Sequence, residues 1–179
     1  MNEHPEIRIL VVCLGNICRS PMAHGVLERK LAEAGLADRV RVDSAGTGDY
    51  HIGKGPDTRA AMAAGERGYD LSHLRARQVE PEDLARFDLI LAADRENYAD
   101  LMALAAGDAE RGKIRLLLSY GRSAREEVPD PYEGGTADFD LALDLIEAAA
   151  DALLPELKAR YGGGRDVPGL PLPRPGGGG

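Results

Sequence analysis

The chain has 179 residues and a formal net charge of −8 at pH 7, which is enough sequence for one domain with a substantial core. The acidic balance argues against general binding to nucleic acid or to anionic membranes. The sequence contains no run of about 20 apolar residues, so it predicts no membrane span. The polar residues 1–6 do not resemble a signal peptide. The two cysteines, Cys13 and Cys18, fit a reducing compartment. We therefore expect a cytoplasmic protein that is a monomer or a weak dimer.

The apolar pattern predicts alternating strands and helices. Residues 7–12 are typical of a first strand, and residues 21–35 of a helix that ends at a glycine. Later strands are predicted over 40–43, 89–93 and 114–118, and later helices over 57–68, 81–86, 95–106 and in a last segment that Thr136 can cap. Strands joined by helices indicate an α/β fold with a parallel sheet, whose ligands bind at the carboxyl ends of the strands.

Two features lie near the end of the chain. Pro155 falls inside the last helical pattern, where a proline is expected to kink or restart a helix. Residues 162–179 contain eight glycines and four prolines, a composition that cannot form a packed core. The sequence therefore predicts a folded domain over residues 1–161 and a disordered Gly/Pro-rich tail over 162–179.

The most informative segment is residues 11–21, Val-Val-Cys-Leu-Gly-Asn-Ile-Cys-Arg-Ser-Pro. Cys13 ends the first strand, and Arg19 follows six positions later, where Ser20 and Pro21 begin a helix. Backbone N–H groups of such a loop and the helix N-terminus can surround a phosphate-sized anion, and Arg19 can add a bidentate fork. The same positive field favours the thiolate of Cys13. The segment therefore predicts one site in which the nucleophile Cys13 lies next to a bound phosphate.

The string from Cys13 to Pro21 resembles the signature of the low molecular weight protein tyrosine phosphatases. Residues 43–47, 72–78 and 130–132 also match segments of that family, in family order, so that the resemblance spans about residues 7–160. It implies a four-stranded parallel sheet flanked by helices on both faces, a Rossmann- or flavodoxin-like fold. It also implies metal-independent hydrolysis of phosphotyrosine in proteins, through a phosphocysteine intermediate and without a cofactor.

The resemblance assigns the catalytic roles. Cys13 is the nucleophile, Arg19 holds the phosphoryl oxygens, and Asp130, in a stiff proline-flanked loop, is the general acid and then the general base. No His, Asp or Glu cluster has the spacing of metal ligands, so we predict no metal site. The remaining loop residues predicted to bind the phosphoryl group are Leu14, Gly15, Asn16, Ile17 and Cys18.

Three further polar residues are predicted to support the loop. The Ser20 hydroxyl can donate to the sulfur of Cys13 and ease its departure as a leaving group. A loop that points several N–H groups inward needs left-handed conformations, which Gly15 and Asn16 tolerate. The resemblance implies that Ser44 and His73 form hydrogen bonds to the Asn16 side chain and hold that conformation in place.

Tyr50 and Tyr132 are the predicted walls of the substrate pocket. A deep aromatic slot would admit a phosphotyrosine ring and leave phosphoserine too short to reach Cys13. Family members commonly carry two consecutive tyrosines after the Asp-Pro pair, whereas the second position here is Glu133. This departure places a negative charge at the pocket rim and is expected to change the preference for peptides.

Other interpretations remain open on the sequence. Cys18 could capture an oxidised Cys13 as a reversible disulfide, or it could simply fill space in the loop. Arsenate reductases with a similar loop need further cysteines, and phosphoarginine phosphatases of the family carry threonine at the position of Ile17. A catalytically silent phosphate-binding module would need neither Cys13 nor Asp130, and this chain has both.

Overall fold

The structure is a computed structural model that describes residues 6–161. The predicted tail over 162–179 lies outside the described residues. The strands are β1 (Ile7–Cys13), β2 (Val40–Gly46), β3 (Leu89–Ala92) and β4 (Ile114–Leu116). The helices are α1 (Arg19–Glu33), α2 (Thr58–Glu66), α3 (Pro81–Arg86), α4 (Arg95–Leu104), α5 (Asp108–Arg111) and α6 (Thr136–Tyr161).

The described strands form one parallel sheet in the order β2-β1-β3-β4. β1 therefore lies inside the sheet and pairs with β2 on one side and β3 on the other. The chain leaves β1 for one edge and later returns to its other side, so the order of strands reverses there. Open α/β sheets bind ligands at such a reversal, beyond the carboxyl ends of the strands, and β1 ends at Cys13.

The side chains of β1 alternate between two apolar layers. Ile9 and Val11 pack into a core with residues of α1, α2 and α6, whereas Leu10 and Val12 pack with residues of α3 and α4 on the opposite face. All four side chains are fully buried, because a parallel sheet is covered by its crossover helices on both faces. The predicted four-stranded sheet with helices on both faces is confirmed.

Some predicted boundaries were wrong. β4 ends at Leu116, and Leu117–Ser119 forms a 3₁₀ turn instead of continuing the strand. The predictions did not include the short helix α5. Thr136 is the first residue of α6 and does not precede it as a cap. Instead, the carboxylate of Asp138 accepts the N–H of Gly135 at 2.8 Å.

α6 continues through Pro155, where a restart was one of the expected outcomes. A proline inside a helix removes one hydrogen bond and crowds the preceding turn. Leu153 and Leu157, on either side of it, are both fully buried in the α1–α2–α6 core, and this burial holds the last turns in place. Within residues 6–161, no helix combines the length and the apolar character needed to cross a membrane.

Candidate active site

The sulfur of Cys13 lies at the base of the loop that joins β1 to α1. Cys13 is 3% exposed. Its Sγ is 3.0 Å from Ser20 Oγ, and the backbone N–H of Asn16 donates to it at 3.3 Å. Two polar groups therefore face the sulfur, and both can donate to a thiolate.

Asn16 holds the loop in its curved conformation. Its φ of 57° lies in the left-handed region, which asparagine adopts more readily than most residues. Its buried Nδ2 donates to Ser20 Oγ at 2.7 Å, and its Oδ1 accepts the backbone N–H of Arg77 at 3.0 Å. Because Ser20 Oγ accepts from Asn16, its hydroxyl proton can point either at Cys13 Sγ at 3.0 Å or at the carbonyl oxygen of Ala45 at 3.4 Å, and the sulfur is the nearer acceptor.

Glycines at two positions near the loop allow neighbouring atoms to pack closer than a side chain would permit. Gly15, expected to tolerate a left-handed conformation, is not among the residues with positive φ; an added Cβ there would lie 2.9 Å from His51 Cδ2. At Gly46, the end of β2, an added Cβ would lie 2.6 Å from the carbonyl oxygen of Leu14. Next to it, the Thr47 N–H donates to the Cys13 carbonyl at 2.9 Å. The end of β2 thus supports the loop by backbone contact.

Arg19 is buried and held from one side. Its Nη1 donates to Asp94 Oδ2 at 2.7 Å and to the carbonyl oxygen of Val128 at 2.9 Å. Its Nη2 lies 3.5 Å from Asp130 Oδ2. Burial disfavours the charged guanidinium, but the charges of Cys13, Asp94 and Asp130 outweigh burial and raise the pKa of Arg19 above its ordinary value. Arg19 is therefore a permanent cation beside the sulfur.

The predicted catalytic residues line one cavity of about 510 Å³. Asp130 stands at its mouth with a half-exposed side chain, and its Oδ1 accepts the N–H of Tyr132 at 3.1 Å. The residues lining the cavity are Cys13, Leu14, Gly15, Ile17, Cys18, Arg19, Tyr50, His51, Asp130, Tyr132 and Glu133. Nearly all of the predicted catalytic and substrate-binding residues therefore meet here; the exception is Asn16, which does not line the cavity.

The cavity rim is aromatic, with one member that the sequence did not suggest. The ring centroid of His51 is 6.4 Å from that of Tyr50 and 6.2 Å from that of Tyr132. Tyr50 is 68% exposed and Tyr132 is 45% exposed, so that both rings are open to a ligand. The position of His51, directly after Tyr50, was the only signal for it in the sequence.

The predicted support of Asn16 by Ser44 and His73 is corrected by the structure. Ser20 and the Arg77 backbone occupy the two polar atoms of the Asn16 side chain. His73 is on the surface, 55% exposed, with Nε2 3.3 Å from Glu28 Oε1. From its exposed turn, the His73 side chain can reach Glu28 on α1, whereas Asn16 lies in a buried loop that it does not reach.

Ser44 has a different partner, the buried His24 on α1. His24 Nδ1 lies 2.9 Å from Ser44 Oγ, and its Nε2 lies 3.6 Å from Glu28 Oε2. The sequence analysis did not single out His24, although it lies four residues after Ser20 and so faces the same side of α1. Hydrogen bonding to His24 is the main reason that the pKa of Glu28 is lowered.

Cys18 is a free, buried thiol in the same loop. Burial raises its pKa to about 12, and the negative charges of Asp57, Asp130 and Cys13 add to this rise. Cys18 is therefore a protonated thiol at neutral pH. Within the described part of the chain, no three His, Cys, Asp or Glu side chains are grouped as metal ligands would be.

Residues 8–161 match the family model of the low molecular weight phosphotyrosine protein phosphatases. The chain belongs to this family. It is 40% identical over 159 residues to the low molecular weight protein-tyrosine-phosphatase of Streptomyces coelicolor, covering 87% of this chain and 96% of the relative. It is 40% identical over 141 residues to the low molecular weight phosphotyrosine protein phosphatase of Homo sapiens, covering 78% and 89% of the two chains.

Solved structures agree with this membership in the low molecular weight phosphatase family. The crystal structure of YfkJ from Bacillus subtilis superposes with a TM-score of 0.82 at 36% identity, covering 88% of this chain and 98% of that one. A protein tyrosine phosphatase from Entamoeba histolytica, with Hepes in its active site, gives a TM-score of 0.82 at 35% identity over 86% and 98% of the chains. The family and fold implied by the sequence resemblance are confirmed.

Proposed function

We propose that this low molecular weight phosphatase hydrolyses phosphotyrosine in proteins by a metal-independent reaction through a phosphocysteine intermediate. The observation that carries the proposal is the meeting of Cys13, Arg19 and Asp130 in one cavity at the carboxyl end of the sheet. A nucleophile, a fixed cation and a carboxyl group at the mouth are the parts that phosphoryl transfer requires, since this reaction depends mainly on positioning and electrostatics.

In the first step, the thiolate of Cys13 attacks phosphorus. The sulfur–phosphorus bond forms while the bond from phosphorus to the tyrosine oxygen breaks. Protonated Asp130 gives its proton to the departing oxygen, so that tyrosine leaves as a neutral phenol. Arg19 and the loop N–H groups hold the phosphoryl oxygens as their charge redistributes.

In the second step, water attacks the phosphocysteine. Asp130, now a carboxylate, takes a proton from the water, and phosphate forms as the sulfur–phosphorus bond breaks. Cys13 leaves as a thiolate, which accepts hydrogen bonds from Ser20 and from the Asn16 N–H at the distances given above. Because both groups already face the sulfur, either step needs little reorganisation around it.

The pocket supports phosphotyrosine as the substrate. Cys13 lies buried at the base of the cavity, whereas Tyr50, His51 and Tyr132 stand at its mouth. A flat ring can pack between them and reach the sulfur with its phosphate, whereas the shorter phosphoserine cannot span the same depth. Phosphotyrosine-containing proteins are thus the proposed partners, and the reduced, buried Cys13 and Cys18 support a cytoplasmic location.

The deciding experiment is steady-state hydrolysis in the presence of a chelator, with phosphotyrosine, phosphoserine and phosphoarginine peptides. Cys13→Ser should abolish turnover, and Asp130→Ala should lower kcat/KM for phosphotyrosine by about 10²- to 10⁴-fold. The matched control is Asp108→Ala, since Asp108 begins α5, which leads into the amino end of β4 at the opposite edge of the sheet. It should leave kcat/KM unchanged.

Two results would change the proposal. Preferred hydrolysis of phosphoarginine would keep the chemistry and replace the substrate. No turnover of any peptide by the unaltered protein, with inorganic phosphate still bound, would make the protein a phosphate-binding module.

A redox role for Cys18 is a separate part of the proposal. Peroxide converts Cys13 to a sulfenic acid; the Cys18 sulfur then attacks it, a disulfide forms and water leaves. The raised pKa of Cys18 makes this capture slow at neutral pH and faster as pH rises. After peroxide treatment, a reductant should restore more activity to the unaltered protein than to Cys18→Ser, and equal irreversible loss in the two would refute the role.

A further inference from the structure

Asp57 connects the start of α2 to the loop over residues 13–19 that joins β1 to α1, called the phosphate loop below. Its backbone N–H donates to the carbonyl oxygen of Ile17 at 2.8 Å. Its carboxylate caps α2 by accepting the Arg59 N–H at 2.8 Å. The same carboxylate also receives the Arg59 side chain in a fork, with Nε to Oδ1 at 3.1 Å and Nη2 to Oδ2 at 3.0 Å. The Arg59 guanidinium is therefore fixed relative to the phosphate loop.

The remaining hydrogen bonds of Arg59 reach the loop that carries Asp130. Nη2 donates to the carbonyl oxygen of Tyr132 at 2.7 Å, and Nη1 donates to that of Gly134 at 3.1 Å. The guanidinium carbon also lies 5.7 Å from the Tyr132 ring centroid and 4.8 Å from that of Phe139, a fully buried residue of α6. One side chain thus contacts both the acid loop and the core beneath it.

A single residue, Tyr132, links Arg59 to the general acid Asp130. The carbonyl of Tyr132 accepts from Arg59, and the N–H of Tyr132 donates to Asp130 Oδ1 at 3.1 Å. Asp130 and Tyr132 are both about half exposed, although Pro131 between them is buried, so apolar packing holds only part of this segment. Its position therefore also depends on polar contacts. Asp130 itself lies 3.5 Å from Arg19 Nη2, and Arg59 joins the Tyr132 peptide to the phosphate loop through Asp57.

We infer that Arg59 is a positioning residue that sets the distance and direction of Asp130 relative to the phosphoryl group. The inference rests on the proposed function, in which Asp130 donates the proton to the leaving oxygen. Arg59 touches neither the substrate nor the sulfur; it acts by holding the Tyr132 peptide. A displacement of the acid by about 1 Å is enough to lower the rate of proton transfer strongly.

The dependence on the leaving group separates this role from a general loss of structure. A phenol of ordinary pKa, about 10, needs a proton as it departs, whereas the much more acidic 2,4-dinitrophenol leaves without one. kcat/KM reports the steps up to the departure of this group. Displacing Asp130 must therefore lower kcat/KM for phenyl phosphate and spare 2,4-dinitrophenyl phosphate.

The test measures kcat/KM with these two substrates for Arg59→Met, Arg59→Lys, Asp130→Ala and the double variant Arg59→Met/Asp130→Ala. The matched control is Arg67→Met at the other end of α2, because Arg67 also binds α6, through Asp144 at 2.9 Å and through Glu147, but does not contact the acid loop. Circular dichroism and the binding of inorganic phosphate establish that each variant is folded.

The expected result for Arg59→Met is a loss of about tenfold or more with phenyl phosphate and less than about twofold with 2,4-dinitrophenyl phosphate. Asp130→Ala should show the same pattern with a larger loss. The double variant should match Asp130→Ala, because Arg59 has nothing left to position. Arg67→Met should show no dependence on the leaving group.

Arg59→Lys decides the matter if Arg59→Met does not fold. A single ammonium cannot span Asp57 and two carbonyl oxygens, so we expect a smaller loss confined to phenyl phosphate. Equal losses on both substrates, or a double variant slower than Asp130→Ala, would overturn the role of Arg59. If Asp130→Ala itself shows no dependence on the leaving group, the proposed role of Asp130 fails, and that result is distinct from a failure at Arg59 alone.

Discussion

Arg19 and Asp94 form an ion pair between two segments that lie 75 residues apart in the sequence, with Nη1 of Arg19 donating to Oδ2 of Asp94 at 2.7 Å. Asp94 follows β3 and Arg19 begins α1 after β1, and these strands are neighbours in the sheet. The pair fixes the guanidinium at Nη1 and leaves Nη2 on the side of Asp130. Arg19 is thus oriented before any phosphate arrives.

The first prediction concerns Asp94→Asn. Asparagine can still accept the N–H of Asn97 that caps α4, at 2.8 Å in the structure, but it removes the charge that orients Arg19. A hydrogen bond to a charged group contributes about 1.5–3 kcal/mol, so we expect kcat/KM for phosphotyrosine to fall by about tenfold or more. Asp94→Ala should in addition lose about 1 kcal/mol of unfolding free energy with the cap. Unchanged kcat/KM in Asp94→Asn would contradict the orienting role.

The second prediction compares Asn16→Ala with Asn16→Gly. Both remove the hydrogen bonds to Ser20 and to the Arg77 N–H. Alanine must also hold the left-handed φ of 57°, which costs about 1 kcal/mol more than glycine at this conformation. Urea unfolding should therefore rank Asn16→Ala below Asn16→Gly in stability, and both below the unaltered protein. The reverse order would show that the loop relaxes out of this conformation.

The third prediction follows from the corrected position of His73. His73→Ala should leave kcat/KM within about twofold and the unfolding free energy within about 0.5 kcal/mol, since the side chain is exposed. His24→Ala should cost about 1–3 kcal/mol, because it leaves the buried Ser44 hydroxyl without its partner. Thermal and urea unfolding of the two variants measure this difference. A larger cost for His73→Ala than for His24→Ala would contradict this ranking of the two histidines.

The outcome of the sequence-based predictions depended on how local each feature is. Cys13, Asn16 and Arg19 lie in one short loop after a strand, so their meeting follows from the pattern itself. Asp130 could be assigned only through the family resemblance, because a proline-flanked aspartate is also an ordinary turn residue.

Contacts between distant segments were beyond the sequence. The pairing of His24 with Ser44 depends on how α1 lies against β2, and the hydrogen bond from Arg77 to Asn16 depends on the path of a turn 61 residues away. The amino-acid types in these two pairs do not indicate which residue each one contacts. Asp94 directly follows the strand predicted over 89–93, but only the packed strands show that it binds Arg19.

The fourth prediction concerns alkaline stability. The pKa of Cys18 rises from 9.0 to about 12 in the folded protein, so the fold favours the protonated thiol. This contribution is complete below about pH 9 and is lost as pH rises from 9 to 12. Between pH 8 and pH 11, the unaltered protein should lose about 3 kcal/mol more unfolding free energy than Cys18→Ala.

The comparison with Cys18→Ala is needed because Tyr69 acts in the same direction. Its pKa is raised to about 12, mainly by burial and by its hydrogen bond to Glu147. Tyr69 is present in both proteins, so its effect cancels in the difference. Equal losses in the two proteins would show that Cys18 ionises as easily in the fold as in the unfolded chain.

The fifth prediction concerns Glu133 at the cavity rim. Its carboxylate repels acidic residues that flank a phosphotyrosine, so Glu133→Gln should lower KM for such peptides by about threefold and change KM less for peptides with neutral flanks. The difference should shrink at high salt, where exposed charges are screened. An equal effect on both peptides would mean that Glu133 acts on the phosphate alone.

The hydrogen bond from Arg19 to the carbonyl oxygen of Val128 crosses 109 residues of sequence. During synthesis, Cys13 and Arg19 leave the ribosome long before Asp94 and Val128 exist, so a nascent chain carries the nucleophile without the groups that orient its cation. Phosphatase activity therefore begins only when most of the domain has folded. A chain that ends before Val128 lacks one of the groups that orient Arg19, so we expect such a chain to be inactive even though it contains Cys13.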